Sequence, residues 1–102
     1  MDLTYELRGN ILHIYLSGEI DHHNAKSVRT SVDALIDEVC PGILCLDLSG
    51  ITFCDSSGLG LVMGRIRKMD AAGGRVIVSR PSASVSRILS LAGMDRLIKI
   101  EA

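Results

Sequence analysis

The chain has 102 residues, of which 47% are hydrophobic, and its 11 basic and 12 acidic residues leave a net charge of −1. This length and composition predict one domain, residues 1–102, with one aliphatic core. The balanced charge argues against a nucleic-acid-binding protein, which usually carries a basic stripe. No apolar run approaches the roughly 20 residues of a membrane span, and the N-terminus does not resemble a signal peptide. We therefore expect a cytoplasmic protein with neither nucleic-acid nor membrane partners.

The three cysteines, Cys40, Cys45 and Cys54, are odd in number and form no C-x-x-C pair. In a cytoplasmic chain this pattern indicates small buried apolar residues rather than disulfides or metal ligands.

The first half of the chain predicts two strands and a helix. Residues 3–7 and 11–16 are strand-like and are joined by Gly9-Asn10, which is typical of a type I′ hairpin turn. A polar segment follows, and Asp21 is placed to cap the helix after it. Apolar residues then recur at helical spacing until Cys40-Pro41-Gly42 ends the pattern. These residues are Ala25, Val28, Val32, Leu35, Ile36 and Val39.

The second half alternates strands with helices. Residues 43–48 are nearly all apolar, which is typical of a central parallel strand covered on both faces. Helical patterns over 59–69 and 82–92 alternate with short strands at 75–79 and 97–100. The order ββαβαβαβ predicts an α/β fold with a mostly parallel sheet, an antiparallel N-terminal edge hairpin and helices packed against the sheet.

Two polar turns follow strands of this sheet, Asp21-His22-His23 and Asp55-Ser56-Ser57. Because the carboxyl ends of parallel strands meet at one edge, we expect both turns to form one surface. Adjacent histidines on a helix point about 100° apart, and no further ligands accompany them. The first turn therefore predicts surface recognition rather than a metal site.

The helix after the second turn has an unusual outer face. Leu59, Val62, Met63, Ile66 and Met69 form the inward stripe of a helical wheel. A glycine costs a helix about 1 kcal/mol, so small residues on the outer face predict a surface that another protein approaches closely. The outward residues are Ser57, Gly60, Leu61, Gly64 and Lys68.

Enzyme chemistry at the second turn is disfavoured. A hydrolase nucleophile elbow needs G-x-S-x-G, whereas Cys54 and Asp55 precede the serines at that spacing, and no histidine follows them. The third glycine of a dinucleotide fingerprint would be Gly64, one position late, and the chain has no room for a substrate domain. A weak nucleotide site stays open as an alternative.

A phosphoacceptor is the remaining chemical interpretation. A serine at a helix start can carry a phosphate, because the helix N-terminus favours negative charge. The chain contains no ATP site, so the kinase must be a separate protein. The physics of these residues does not distinguish Ser56 from Ser57 as the acceptor.

The residues Asp55-Ser56-Ser57-Gly58-Leu59-Gly60, together with the segment 18–25 containing Asp21-His22-His23, resemble the anti-sigma factor antagonists of the STAS-domain family. Within that family they are most similar to the members that control sporulation sigma factors. The resemblance covers almost the whole chain, including Gly73-Gly74 and the start of the last helix. It implies a switch protein that is not an enzyme and needs no cofactor.

The resemblance also implies partners and residue roles. The unphosphorylated protein would bind an anti-sigma factor that is also a serine kinase, which would free the sigma factor. Phosphorylation of Ser56 would abolish binding, and a PP2C-type phosphatase would restore it. Ser57 would cap the helix, and the free protein would be a monomer. The docking surface would comprise Asp21, His22, His23, Asp55, Ser57, Gly58, Gly60, Leu61 and Gly64. An alternative is a STAS domain that acts as a scaffold or binds a small ligand such as a nucleotide.

Overall fold

A computed structural model describes residues 1–102, and it contains five strands and three α-helices. The strands are β1 (Asp2–Arg8), β2 (Ile11–Ile20), β3 (Ile43–Cys54), β4 (Arg75–Ser79) and β5 (Lys99–Glu101). The helices are α1 (Ala25–Val39), α2 (Ser56–Ala71) and α3 (Ala83–Leu91), and a 3₁₀ turn covers Met94–Arg96. The predicted order of elements is confirmed.

The five strands lie side by side in sequence order, β1-β2-β3-β4-β5. The β1–β2 pair is antiparallel and the other three pairs are parallel. Each parallel crossover therefore advances by one strand in the same direction. Because such crossovers are right-handed, successive helices that advance in one direction lie on the same face of the sheet. The predicted mixed sheet with an N-terminal antiparallel edge is confirmed.

The register of the strands places the core on that helical face. Leu12, Leu44 and Val76 lie side by side across three strands, and Ile14, Leu46 and Val78 form the next row. All three helices contribute to the same cluster of 20 buried residues. These helical residues are Val28, Val32 and Ile36 from α1, Leu61, Val62 and Met69 from α2, and Val85 and Leu89 from α3.

The opposite face of the sheet carries a polar contact in its middle. Asp47 is buried there, and it accepts hydrogen bonds from Ser49 and from Nε of Arg80, the latter at 3.1 Å. Arg80 reaches this carboxylate from a left-handed backbone with φ of +50°. Desolvation alone would raise the pKa of Asp47, but the hydrogen bonds from Ser49 and Arg80 lower it below its ordinary value. The carboxylate therefore stays ionised although it is buried.

The structure corrects several local predictions. The strands β2 and β3 run four and six residues further than expected, so the segment after Leu48 is strand rather than loop. In the hairpin turn only Gly9 has positive φ, which fits a type II′ turn rather than type I′. Cys40 is exposed with φ of +50° at the end of α1, which contradicts its predicted burial. Cys45 and Cys54 are buried as predicted, and burial raises the pKa of both thiols.

Candidate functional site

The turn between β3 and α2 is held by Asp55. This residue has an extended backbone and is the N-cap of α2. Its Oδ1 accepts hydrogen bonds from the backbone N–H groups of Ser57 at 2.8 Å and of Gly58 at 3.3 Å. Both groups are helix N-terminal donors that lack a partner within the helix. The expectation that Ser57 caps this helix is therefore wrong, because Asp55 performs that role.

The cap also keeps a negative charge at the helix start. Desolvation alone would raise the pKa of Asp55, but the hydrogen bonds from Ser57 and Gly58 and the nearby His22 lower it. The Nδ1 atom of His22 lies 3.8 Å from Oδ2 of Asp55. The carboxylate is thus ionised at neutral pH and links the two polar turns.

The two serines after the cap differ in exposure. Ser56, the first residue of α2, is exposed, whereas Ser57 is half-buried. Because Asp55 supplies the cap, neither hydroxyl is needed to satisfy the backbone at this helix end. The hydroxyl of Ser56 is therefore accessible and can be changed without loss of the helix cap.

The Asp-His-His turn lies beside this helix start, as predicted. Backbone N–H of Asp55 donates to the carbonyl of Ile20 at 3.2 Å, which joins the ends of β3 and β2. Asp21 and Asn24 bond each other's backbone N–H groups reciprocally, at 3.3 and 3.0 Å. Asn24 holds the N-cap position of α1, so the predicted position of the cap is wrong, but the side chain of Asn24 makes no cap bond there. The carboxylate of Asp21 accepts the backbone N–H groups of His23 and Asn24 just before the helix.

The imidazoles of His22 and His23 are exposed, and their ring centroids are 4.0 Å apart. No group of three or more His, Cys, Asp or Glu side chains is arranged to hold a metal ion. The exposed rings are available to a binding partner at the surface.

The glycines and Leu61 of α2 have different environments. A Cβ on Gly60 or Gly64 would meet no atom within 4 Å, so these two glycines lie on an open surface. A Cβ on Gly58 would lie 2.2 Å from Sγ of Cys54, so Gly58 is an internal close contact. Leu61 is 5% exposed and belongs to the core. The predictions that Gly58 and Leu61 form part of the outer surface are therefore wrong.

The error at Leu61 arises because α2 has two covered sides. The sheet covers one side, and α1 covers the next. Arg65, one turn after Leu61, is 6% exposed, and its Nε lies 2.8 Å from Oδ1 of Asp33 on α1. Nζ of Lys68 lies 2.8 Å from Oδ1 of Asp37, which is also on α1. A helical wheel of one segment cannot include this neighbouring helix.

A groove of about 430 Å³ separates the starts of α1 and α2. We call it the α1–α2 groove, and its lining residues are His22, Ala25, Lys26, Arg29, Ser57, Gly60 and Leu61. Sequence reasoning gave Lys26 and Arg29 no role in binding and missed their position beside Ser57. It also gave no role to Phe53, which is 50% exposed at the end of β3. The available signal was that Phe53 is the only phenylalanine in the chain.

Comparison with known proteins identifies similar chains over nearly this whole length. A family model described as the STAS domain matches residues 2–102. The anti-sigma F factor antagonist of Paenibacillus polymyxa is 32% identical over 100 residues, covering 98% of this chain and 86% of its own. That of Lysinibacillus sphaericus is 37% identical over 81 residues, covering 79% and 69%. None of the helices is both long and apolar enough to span a membrane.

Solved structures with a fold similar to that of this chain also include an anti-sigma factor antagonist. The anti-sigma factor antagonist SpoIIAA in its unphosphorylated form superposes with a TM-score of 0.83 at 28% identity, covering 99% of this chain and 89% of its own. The Bacillus cell fate determinant SpoIIAA in the phosphorylated form gives a TM-score of 0.76 at 27% identity, covering 99% and 92%.

Proposed function

This chain belongs to the STAS-domain family, and we propose that it is an anti-sigma factor antagonist switched off by phosphorylation of Ser56. In the unphosphorylated state it binds an anti-sigma factor and thereby releases the sigma factor that this partner holds. It acts by binding rather than by catalysis, and it is a monomer when free.

The observation that carries the proposal is the state of Ser56. Its side chain is exposed at the first position of a 16-residue helix, and the cap is supplied by the preceding Asp55. Ser57 is half-buried and lines the α1–α2 groove, which makes it less accessible to a kinase. These differences favour Ser56 as the acceptor, a choice that the sequence alone left open.

Phosphorylation would act through charge at the binding surface. A phosphate adds a charge of about −1.5 to −2 at neutral pH. The helix N-terminus tolerates this charge, so the fold stays intact. Asp55 already carries a negative charge at the same turn. The combined charge of Asp55 and the phosphate repels an acidic group of the partner, and it raises the cost of removing water from the contact. Bound protein is therefore released without unfolding.

The enzymes that set this switch are separate proteins. We propose that the anti-sigma factor is itself the serine kinase, so the complex that forms is also the one in which the phosphate is transferred. A PP2C-type phosphatase then removes the phosphate and restores binding. The solved structures of SpoIIAA in an unphosphorylated and a phosphorylated form show that a relative of similar fold exists in both states, and they name neither the kinase nor the phosphatase.

The docking surface that we propose combines both polar turns with the open side of α2. It includes Asp21, His22, His23, Asp55, Ser57, Gly60 and Gly64. The open space around Gly60 and Gly64 lets a partner approach the helix backbone. We add Phe53 as an apolar anchor, because exposed aromatic side chains are enriched at protein interfaces.

The acceptor assignment is tested with a matched pair of serine variants. Wild-type protein, Ser56→Ala and Ser57→Ala are incubated with the cognate anti-sigma factor and ATP, and mass spectrometry counts the phosphates added. We expect one phosphate on wild type and on Ser57→Ala, and none on Ser56→Ala. Both variants keep the Asp55 cap, so both should fold. Phosphate uptake by Ser56→Ala would refute the assignment.

Binding to the partner is measured separately from phosphate transfer. We expect Ser56→Ala to bind the anti-sigma factor with wild-type affinity in calorimetry. Ser56→Asp should bind at least about tenfold more weakly, although one carboxylate carries less charge than a phosphate. Wild-type affinity of Ser56→Asp would contradict charge as the cause of release.

A further inference from the structure

The α1–α2 groove contains two cations that have no acidic partner. Six ion pairs are present in the chain, and none involves Lys26 or Arg29. Both side chains are exposed and line the groove together with His22 and Ser57. No carboxylate lines this groove. The lining is therefore positively charged beside the proposed phosphorylation site, and the carboxylate of Asp55, 3.8 Å from Nδ1 of His22, lies outside it.

Two acidic groups close to lining residues of the groove already have partners. Asp55 is held by the N–H groups at the start of α2, and Asp33 lies against Arg65. Arg29 is close enough to Arg65 to lower the pKa of that guanidinium, in addition to the larger effect of burial. Arg29 thus stands near a like charge, and the acid at this place, Asp33, lies against Arg65.

The placement of charges along α1 opposes the dipole of the helix. The first turn has no acidic residue and the last turn has no basic residue, whereas helices favour the reverse. At the C-terminal half the acids are explained by contacts with α2, where Asp33 meets Arg65 and Asp37 meets Lys68. At the N-terminal half Lys26 and Arg29 have no such compensation. Lys26, in the first turn, is therefore unfavourable for the helix dipole, and no ion pair of Lys26 or Arg29 offsets this.

We propose that the α1–α2 groove receives a carboxylate side chain of the anti-sigma factor, held by Lys26 and Arg29. This inference rests on the proposed function, since it names the chemistry by which the partner is recognised. A carboxylate fits because the groove offers two cations, and hydrogen bonds from ammonium or guanidinium groups to a carboxylate are roughly twice as strong as those between neutral groups. The open space at Gly60 leaves room for the partner's backbone at the groove.

The position of the groove also connects it with the phosphate switch. Ser57 lines the groove and Ser56 is its neighbour in the chain, so a phosphate on Ser56 adds negative charge one residue away from the lining. Its negative charge repels an incoming carboxylate and reduces the positive potential that attracts it. Release by phosphorylation is then strongest for a partner that uses an acidic group at this place.

The test compares two charge-reversal variants of equal charge. The groove variant is Lys26→Glu with Arg29→Glu, and the control is Arg75→Glu with Arg96→Glu. The control residues are exposed, belong to none of the six ion pairs and lie away from the phosphorylation turn, near the start of β4. Affinity for the cognate anti-sigma factor is measured by calorimetry at about 50 mM and about 500 mM salt, a range over which screening increases strongly.

We expect the groove variant to bind at least about tenfold more weakly at the lower salt concentration, and the deficit to shrink at the higher one, because salt screens the repulsion between its two glutamates and the partner's carboxylate. Its melting temperature should equal or exceed that of wild type, because acids favour the start of a helix. The control should bind within about threefold of wild type. Replacing the partner's contacting carboxylate by a basic residue should restore binding to the groove variant.

Equal affinity and equal salt dependence of the groove variant and the control would overturn the inference. The double variant Lys26→Gln with Arg29→Gln is a milder test, because it removes both charges without reversing them. We expect it to lower the affinity for the anti-sigma factor by less than the groove variant does. Failure of the wild-type chain to bind any anti-sigma factor would instead overturn the proposed function itself. The two failures are therefore distinguishable.

Discussion

Two glycines of α2, two positions apart, should respond oppositely to the same substitution. A Cβ at Gly58 would lie 2.2 Å from Sγ of Cys54 and 3.2 Å from Cγ2 of Ile20. A Cβ at Gly60 would meet nothing within 4 Å. Alanine favours a helix over glycine by about 1 kcal/mol at either position. The difference between the two variants therefore reports the packing around Gly58.

The magnitude follows from the two opposing effects. Overpacking a well-packed site costs about 1–3 kcal/mol, and the 2.2 Å approach to a buried sulfur places Gly58→Ala towards the upper end. After the helix preference is subtracted, we expect a loss of about 1–2 kcal/mol. Gly60→Ala should gain about 0.5–1 kcal/mol. For a domain of this size, about 1 kcal/mol shifts the melting temperature by roughly 4–8 °C.

Urea denaturation and thermal melting of both variants provide the assay. A third protein, Cys54→Ala with Gly58→Ala, removes the sulfur that the new methyl group would meet. In that background the cost of Gly58→Ala should shrink by about 1 kcal/mol, as coupled neighbours do in double-mutant cycles. If Gly58→Ala is as stable as Gly60→Ala, the close packing at the start of α2 is incorrect.

Three further predictions concern the core, the polar face and the docking surface. Leu61→Ala should lower the free energy of unfolding by about 2–5 kcal/mol in urea titration, because Leu61 is buried; a change below 1 kcal/mol would contradict this. The lowered pKa of Asp47 contributes stability above its unfolded pKa of 3.8, and this contribution is lost as the pH falls through the folded pKa. Asp47→Asn should therefore show a flatter dependence of stability on pH below about pH 5 than wild type, and equal curves would argue against the Arg80 contact. Phe53→Ala should weaken anti-sigma factor binding at least about tenfold without lowering the melting temperature, whereas a lower melting temperature with normal binding would make Phe53 structural.

The sheet could be predicted because its evidence is local. Apolar runs, hairpin residues and helical spacing identify each element from its own segment, and the alternation of strands and helices then fixes a mostly parallel sheet. The meeting of the two polar turns followed from the same topology, and the contact between Asp55 and Ile20 confirms it. Membership of the family was predicted from the motif around Ser56 and is confirmed over residues 2–102.

The errors lie where a neighbouring element decides the outcome. Leu61 was placed on the surface because its wheel position matched that of Ser57, but α1 covers that side of α2 through Arg65. The family resemblance gave the role of helix cap to Ser57. The extended backbone of Asp55 and its hydrogen bonds from the N–H groups of Ser57 and Gly58 identify Asp55 as the cap instead.

Lys26 and Arg29 illustrate a different limit of sequence reasoning. Exposed cations on an amphipathic helix are common, and the pattern of α1 gives no reason to separate them from its other charges. Their significance depends on which acids of α1 pair with α2 and which cations of α1 stay unpaired. Both facts can be known only once the positions of the two helices are known. Charge balance along one helix is therefore informative only after its neighbours are known.

The sequential order of the strands has a consequence for how the chain acquires its structure. Each new strand pairs with the strand made just before it, so each pairing closes only one connecting segment, and the loop entropy lost rises slowly with the length of that segment. The sheet can therefore grow from β1 towards β5 in the order of synthesis on the ribosome. At each stage one growing edge is unpaired, and the next strand to emerge covers it, which limits the time during which that edge can pair with another chain.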